Sequence, residues 1–304
     1  MCCWKEISAS IQSVDAIIPV YNEKLNLILV TVKSLNSQTH KINRIFLVDD
    51  GSSWPTDFAY IVATSRIPVQ VLRLSCNLGI SAARNYGMRQ SDANLLLFVN
   101  SGIELCPEWT EKTASFLAAH ADAGLASGQV STIQTGLCAT WRKWFLENRE
   151  TWTDQTREIP WALGHAVIIA ARNLWQLGGW NEQMRRAAED FDLSQRLRAR
   201  GLKIYQVRGA IGFCHDHYTI PVLAAKAIRN CGWSLDHSYP GDASLRRLEF
   251  FATVRNFVVV CLIRLRENVK KLRLALVPID LCIMVYGLYL IVQGNFRKLR
   301  SRGD

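Results

Sequence analysis

At 304 residues and 34.4 kDa the chain is too long for a peptide or one small module. It suits one large α/β domain with an appendage, or two domains. Hydrophobic residues make up 49% and charged residues 20%, so a real core can be buried and disorder is excluded. The net charge of +10 is unevenly spread: Arg246 to Asp304 hold twelve Lys/Arg against four Asp/Glu, the first 245 residues twenty-four against twenty-two. A nearly neutral body with a basic, apolar tail is a poor nucleic-acid footprint and a better one for an anionic membrane surface. Nine Cys, at 2, 3, 76, 106, 138, 214, 231, 261 and 282, form no CxxC pair. That spacing excludes the usual structural zinc site, argues against a disulfide scaffold and fits reduced thiols in the cytosol. The opening segment MCCWKEISAS has no apolar run, so nothing in it reads as directing secretion.

In chain order, Val14 to Val20 is a short β-branched strand ending in Tyr21-Asn22-Glu23. Leu25 to Asn36 carries Leu25, Ile28, Leu29, Val32 and Leu35 at helical spacing. Arg44 to Val48 is a second strand, stopped by Asp49-Asp50-Gly51-Ser52, and Val69 to Leu74 a third. Ser81 to Arg89 reads as a helix opening just after Gly79, and Asn94 to Val99 as a fourth strand ending in Asn100-Ser101-Gly102. Strands apolar throughout and separated by helices imply an α/β fold with a mostly parallel sheet covered on both faces. In such sheets ligands sit beyond the carboxyl ends of the strands. Polar groups from four separated segments, Tyr21-Asn22-Glu23, Asp49-Asp50, Asn77 and Asn100, therefore converge on one edge. Any one of these loops is explained by turn chemistry alone; four together favour a site.

The second informative block runs from Leu163 to Gly201. Ala166 to Ala170 is a strand, Leu177-Gly178-Gly179-Trp180-Asn181 a turn, and Glu189-Asp190-Phe191-Asp192-Leu193 opens a helix running through Arg200. Near a helix N-terminus the macrodipole keeps a carboxylate such as Asp190 ionised, as a base requires. Acids in a first helical turn also cap for stability alone, and taken by itself the cluster reads as a cap.

Together, AIIPVYNE (16–23), FLVDDGSS (46–53), NLGISAARNYGM (77–88), GGWNE (178–182) and EDFDLSQRLRARG (189–201) resemble, in order, the inverting nucleotide-sugar glycosyltransferases of family 2, which have the GT-A fold. The resemblance runs over about three-quarters of the chain and implies roles for matching positions. Pro19, Tyr21 and Glu23 of the PVYNE segment, with Asp50, hold the nucleotide base and ribose. Arg84 lies near the nucleotide or pyrophosphate, and Asp190 deprotonates the acceptor hydroxyl. The chemistry agrees, since inverting transfer needs a carboxylate opposite the leaving diphosphate and positive charge beside that diphosphate.

The chain departs from the family after its fourth strand. Where a DxD motif would hold Mg²⁺ or Mn²⁺, it reads Asn100-Ser101-Gly102. Hard divalent ions bind chiefly through carboxylates. Asn100 can hydrogen-bond a ribose or lend one neutral oxygen; Gly102 has no side chain to ligate with. Glu104 would substitute if the loop turned back, and His215 matches a His that family members place near the metal, so Glu104 and His215 are the candidate metal ligands. Asp216 and His217 flank that His.

Trp141, Trp144, Trp152 and Trp161 read first as core, with an acceptor- or lipid-facing surface as the alternative, and His165 lies where such folds face the acceptor. The tail divides into Phe250 to Leu265 and Leu274 to Val292, the second interrupted by Pro278 and Asp280. Basic flanks on both sides suggest in-plane amphipathic helices; a buried helical pair or a homodimer contact competes. FFATVRNFVVV (250–260) is similar to the C-terminal helices of rhamnosyltransferase-like family members, which build cell-surface polysaccharide on lipid carriers. The expectation is a GT-A domain over 1–235 and a helical membrane-associating tail over 236–304, peripheral to the cytoplasmic face of the membrane. Its activity would be inverting transfer from a nucleotide-diphosphate sugar to a glycan or lipid-linked acceptor, with weakened or absent metal dependence. The alternative is a degenerate member that binds nucleotide or glycan without catalysis.

Overall fold

β-Branched and leucine-rich runs supply the centre of the molecule. In the computed structural model, which describes residues 12–53, 57–147, 154–184, 188–232, 243–271 and 273–300, they are the strands of one nine-stranded sheet. Cys2, Cys3, Trp152, Arg302 and the division at 235 lie outside the described residues, as does the side chain of Trp144.

In order the elements are β1 (Val14–Val20), α1 (Leu25–Asn36), β2 (Ile42–Asp49), α2 (Phe58–Thr64), β3 (Val69–Arg73), α3 (Ile80–Gln90), β4 (Leu95–Val99), β5 (Ile103–Leu105), α4 (Trp109–Ala119), β6 (Ala123–Thr132), α5 (Leu137–Glu147), β7 (Arg157–Ile159), β8 (Ala166–Ala170), α6 (Ala171–Gln176), α7 (Glu189–Arg198), β9 (Lys203–Cys214), α8 (Ile220–Gly232), α9 (Ala243–Lys270) and α10 (Val277–Arg300). The first four strands of the sequence reading, the helices between them and the strand at Ala166–Ala170 are all present.

The sheet runs β3-β2-β1-β4-β8-β6-β9-β5, with β7 also paired to β9. β1 pairs in parallel with both β2 and β4, and β2 with β3. These strands are joined by helices, the connection that parallel pairing requires. After Gly102 chain direction reverses: β8 joins β4 antiparallel, β6 joins β8, and β5 and β7 flank β9. Ile17, Phe46, Phe98, Val167 and Ile169 share one buried cluster with Leu193 and Leu197 of α7. Trp180 closes it edge-on against Phe98, ring centroids 5.1 Å apart.

The chain divides into two compact units: Met1–Ser131 with Trp152–Arg185 and Glu189–His215, and Thr132–Thr151 with Arg186–Ala188 and Asp216–Asp304. The second is helical. Phe257 of α9 packs so closely over Gly287 of α10 that a β-carbon there would lie 2.1 Å from the ring. Its interior is partly polar. Asp280, buried in the first turn of α10, accepts from Trp141 Nε1 at 2.6 Å and from Asn268 Nδ2 at 2.7 Å, and the Arg264 guanidinium lies 5.2 Å from the Trp141 ring. Trp141 is thus a core residue, as the first of its two readings had it.

Candidate active site

β1 and β2 end side by side, Val20 opposite Asp49, so their loops meet. The Asn22 N–H donates to Ser52 Oγ at 2.9 Å and the Ser53 N–H to Asn22 Oδ1 at 2.8 Å, which knits the two loops together. Pro19 is half-buried within β1, and the Tyr21 side chain stands exposed at the rim, where a flat ring is open to stacking. Asp49 accepts from the Ser52 N–H at 2.9 Å and pairs with Arg73 at 3.1 Å. Asp50 is buried and uses both oxygens on the turn that opens α3: Leu78 N–H at 2.8 Å and Gly79 N–H at 2.9 Å. Burial raises its carboxyl, the two backbone N–H groups pull the other way, and neighbouring Asp49 adds to the rise.

The loop after β4 is anchored through backbone. The Asn100 N–H donates to the His165 carbonyl at 2.9 Å, and Gly102 both donates to the Leu27 carbonyl at 3.0 Å and accepts from the His215 N–H at 2.8 Å. Gly102 has φ +77°, the left-handed region where glycine is at home. Ser101 Oγ donates to Glu23 at 2.9 Å, which links the first and fourth strand ends.

Asp190, in the first turn of α7, is held by two backbone donors: Gly164 N–H to Oδ2 at 2.9 Å and Phe191 N–H to Oδ1 at 2.8 Å. Burial, and then the charge of Glu189, raise it to about 6; the two N–H donors and Arg84 oppose that rise. A carboxylate poised there is ionised at neutral pH yet a far better proton acceptor than an ordinary Asp. Trp161 meets the Phe191 ring edge-on at 5.9 Å beside it.

Arg84, expected near the nucleotide or pyrophosphate, lies inside the molecule. It is fully buried, giving hydrogen bonds to Glu189 Oε1 (3.1 Å), Asn100 Oδ1 (3.0 Å) and the Gly164 carbonyl (2.8 Å), with its guanidinium 4.2 Å from the Trp180 ring. Asn100 therefore spends its oxygen on Arg84. Glu104 and His215 are brought together at 2.6 Å, because β5 and β9 pair antiparallel and the chain leaves β9 beside the Gly102 loop. They make two donors. Among the described residues no group of three His, Cys, Asp or Glu is placed to hold a metal ion, Asn100 Oδ1 is taken and Gly102 offers nothing. A complete divalent site does not fit these residues alone.

Three supporting residues escaped the sequence reading. Glu189 was visible as the first acid of the ED pair, but its partner is 105 positions away. Gly164 sits so close that a β-carbon would lie 3.1 Å from Arg84 Nη2 and 3.3 Å from Asp190 Cβ. Asn85 clasps the GGWNE turn, giving Nδ2–H to the Trp180 carbonyl and taking the Trp180 N–H, both at 2.8 Å.

Comparison with known proteins bears on this arrangement. A family profile described as glycosyl transferase family 2 matches residues 15–187. Hyaluronan synthase of Streptococcus pyogenes is 32% identical over 105 residues, 33% of this chain and 25% of that protein. Polypeptide N-acetylgalactosaminyltransferase 8 of Drosophila melanogaster is 32% identical over 105 residues, 33% of this chain and 18% of that one. The chain thus matches a quarter or less of these relatives' lengths. Among solved structures, GalNAc-T7 with UDP, GalNAc and Mn²⁺ superposes with TM-score 0.60 at 15% identity, over 80% of this chain and 55% of that one. The mannosyltransferase PcManGT of Pyrobaculum calidifontis, with GDP-Man and Mn²⁺, superposes with TM-score 0.58 at 14% identity, over 92% and 87%. The shared architecture is the GT-A fold.

Proposed function

Because this chain belongs to glycosyl transferase family 2, we propose that it moves a sugar from a nucleotide-diphosphate donor to a glycan or lipid-linked acceptor with inversion, the work of residues 1–235. The observation that carries this is Asp190, fixed by two backbone N–H groups and raised to about 6. In the reaction the acceptor hydroxyl gives its proton to the Asp190 carboxylate as its oxygen bonds to the anomeric carbon. The bond from that carbon to the phosphate oxygen breaks, and the diphosphate leaves with the electron pair. A single displacement of this kind inverts the anomeric centre. The loop ends carrying Pro19, Tyr21, Glu23 and Asp50 are assigned to the nucleotide, with Asn100 contributing through its amide nitrogen. Glu104 and His215 are the pair that would meet a Mn²⁺ or Mg²⁺ ion, which when bound would neutralise the diphosphate.

The Asn100-Ser101-Gly102 loop favours a second reading, a protein that binds nucleotide or glycan without turnover. A thermal-shift panel of nucleoside diphosphates, with and without Mn²⁺, and donor turnover in EDTA separate the two. Active transfer is expected to persist in EDTA, with at most weak metal stimulation. Clear nucleotide binding with no turnover of any donor supports the second reading, and strict dependence on micromolar metal overturns the expected metal behaviour.

For residues 236–304 we propose docking on an anionic membrane surface at the cytoplasmic face; a homodimer contact is the rival. Residues Leu274–Ile291 are long and apolar enough to cross a membrane by length and composition, with mean hydropathy 2.2. The helix is inverted: its one acid in that stretch, Asp280, is turned inward, while Leu274, Leu281, Val285 and Tyr289 face outward. Arg266, Lys270, Lys271 and Arg273 cluster before it. Leu281→Glu with Val285→Glu is expected to weaken binding to phosphatidylserine-containing liposomes by at least about tenfold without changing the melting temperature. Unchanged liposome binding with loss of a dimer assigns this face to self-association.

A further inference from the structure

Behind Asp190, among the described residues, stands the buried cation Arg84. Arg84 Nη2 donates to the Gly164 carbonyl at 2.8 Å, while the Gly164 N–H donates to Asp190 Oδ2 at 2.9 Å, so one residue is gripped from both sides. Arg84 Nη1 holds Glu189 Oε1 at 3.1 Å. Glu189 and Asp190 are chain neighbours, so two carboxylates share one buried corner, and like charges there resist ionising together. Arg84 is the cation set against them. On the same helix Asp192 is turned to Arg196 at 2.6 Å and Asn181 at 3.2 Å, and His165 follows Gly164 on the segment entering β8. Burial lowers the Arg84 pKa, with Glu189 first and Asp190 second working to keep the guanidinium charged.

We infer that Arg84 is the positioning residue of this site, holding Gly164 and Glu189 so that Asp190 is presented ionised to the acceptor; the inference rests on Asp190 as the base. Asn at position 100 follows from the same geometry. Its neutral oxygen, 3.0 Å from Arg84 Nη2, accepts from the guanidinium without adding a third carboxylate beside Glu189 and Asp190. The residue that departs from the metal motif thereby has a task of its own, accepting from Arg84 without charge.

The test is the pH profile of kcat/KM in Arg84→Met, Arg84→Lys, Glu189→Gln and the double variant Arg84→Met/Glu189→Gln. Removing the cation is expected to move the acid-limb midpoint upward by about one to three pH units. Removing the neighbouring acid is expected to move it downward, and the double variant to return toward the starting value. Lysine keeps the charge but not the fork, so Arg84→Lys is expected to hold the midpoint and lose kcat, with donor KM unchanged. An unmoved midpoint in Arg84→Met, absence of rescue by Glu189→Gln, or a loss confined to donor KM overturns the inference. Should Arg84→Met fail to fold, Glu189→Gln decides alone: its midpoint must fall. The melting-temperature difference between each background and its Asp190→Asn counterpart, followed over pH, reads Asp190 ionisation without turnover. A shift there while Asp190→Asn variants remain fully active keeps Arg84's hold on the charge and removes Asp190 from the chemistry, which separates the two failures.

Discussion

Asp190→Asn is expected to lower sugar transfer by roughly 10²- to 10⁴-fold while nucleotide affinity stays within about twofold, since none of the residues assigned to the nucleotide is altered. In the intact protein transfer should rise with pH through the ionisation at about 6, because only the carboxylate accepts a proton. The stability consequence has the opposite sign. The folded-state value lies above the ordinary 3.8, so the folded chain binds more protons between the two. Stability contributed by this group is full below the lower value and is lost as pH rises through the upper one. The Asn variant lacks that dependence and should gain on the native protein in melting temperature from pH 4 to above 6. A helix cap alone would give the reverse pattern: Asn would lose about 1 kcal/mol at most and transfer would persist. Assays of transfer and calorimetric melting on the same two proteins decide between them.

Asp50→Ala is the second large effect. Its two oxygens satisfy the N–H groups of Leu78 and Gly79, with Gly79 standing at the N-cap position of α3. Truncation leaves both donors without this partner, the Gly79 N–H buried and the Leu78 N–H part-buried, and bonds to a charged acceptor contribute about 1.5–3 kcal/mol each. A stability loss of about 2–4 kcal/mol is expected, together with loss of detectable nucleoside diphosphate binding by titration calorimetry. Asp50→Asn keeps one acceptor and should fall between. Nucleotide binding that survives a clear drop in melting temperature would leave Asp50 a structural residue and shift the nucleotide role to Tyr21 and Glu23.

The first half of the fold was legible because strands such as β1 and β4 are buried apolar runs and the helices between are short and regular. Val14–Val20, Leu25–Asn36 and Ala166–Ala170 occur with the boundaries that periodicity assigns. The strand Ala123–Thr132 was not legible. Its AGLASGQVST is rich in small and polar residues and owes its burial to its place between β8 and β9, which no local pattern encodes. The site shows the same division. The gathering of four loop ends followed from strand order, and the ED pair from its motif. Where Arg84 points did not: a motif places it near the donor edge, but its contacts at residues 100, 164 and 189 are non-local, and the preference of a buried cation for Glu189 is a tertiary fact. Likewise Glu104 and His215, 111 positions apart, meet only through antiparallel pairing of β5 with β9.

The left-handed backbone at Gly102 bears on the routes open to mutation. Both of its peptide groups are committed, one to Leu27 and one to His215, so the loop cannot relax its φ of +77° without releasing α1 or the segment after β9. An acid introduced at 102 is strained by about 1–2 kcal/mol before it binds anything, and a lone carboxylate there has no second acid at position 100 to work with. An acid at 100, arriving first, meets Arg84 and draws it away from Glu189. Each single step toward a two-carboxylate loop thus works against contacts already made, the backbone of residue 102 in one case and the Arg84–Glu189 pair in the other.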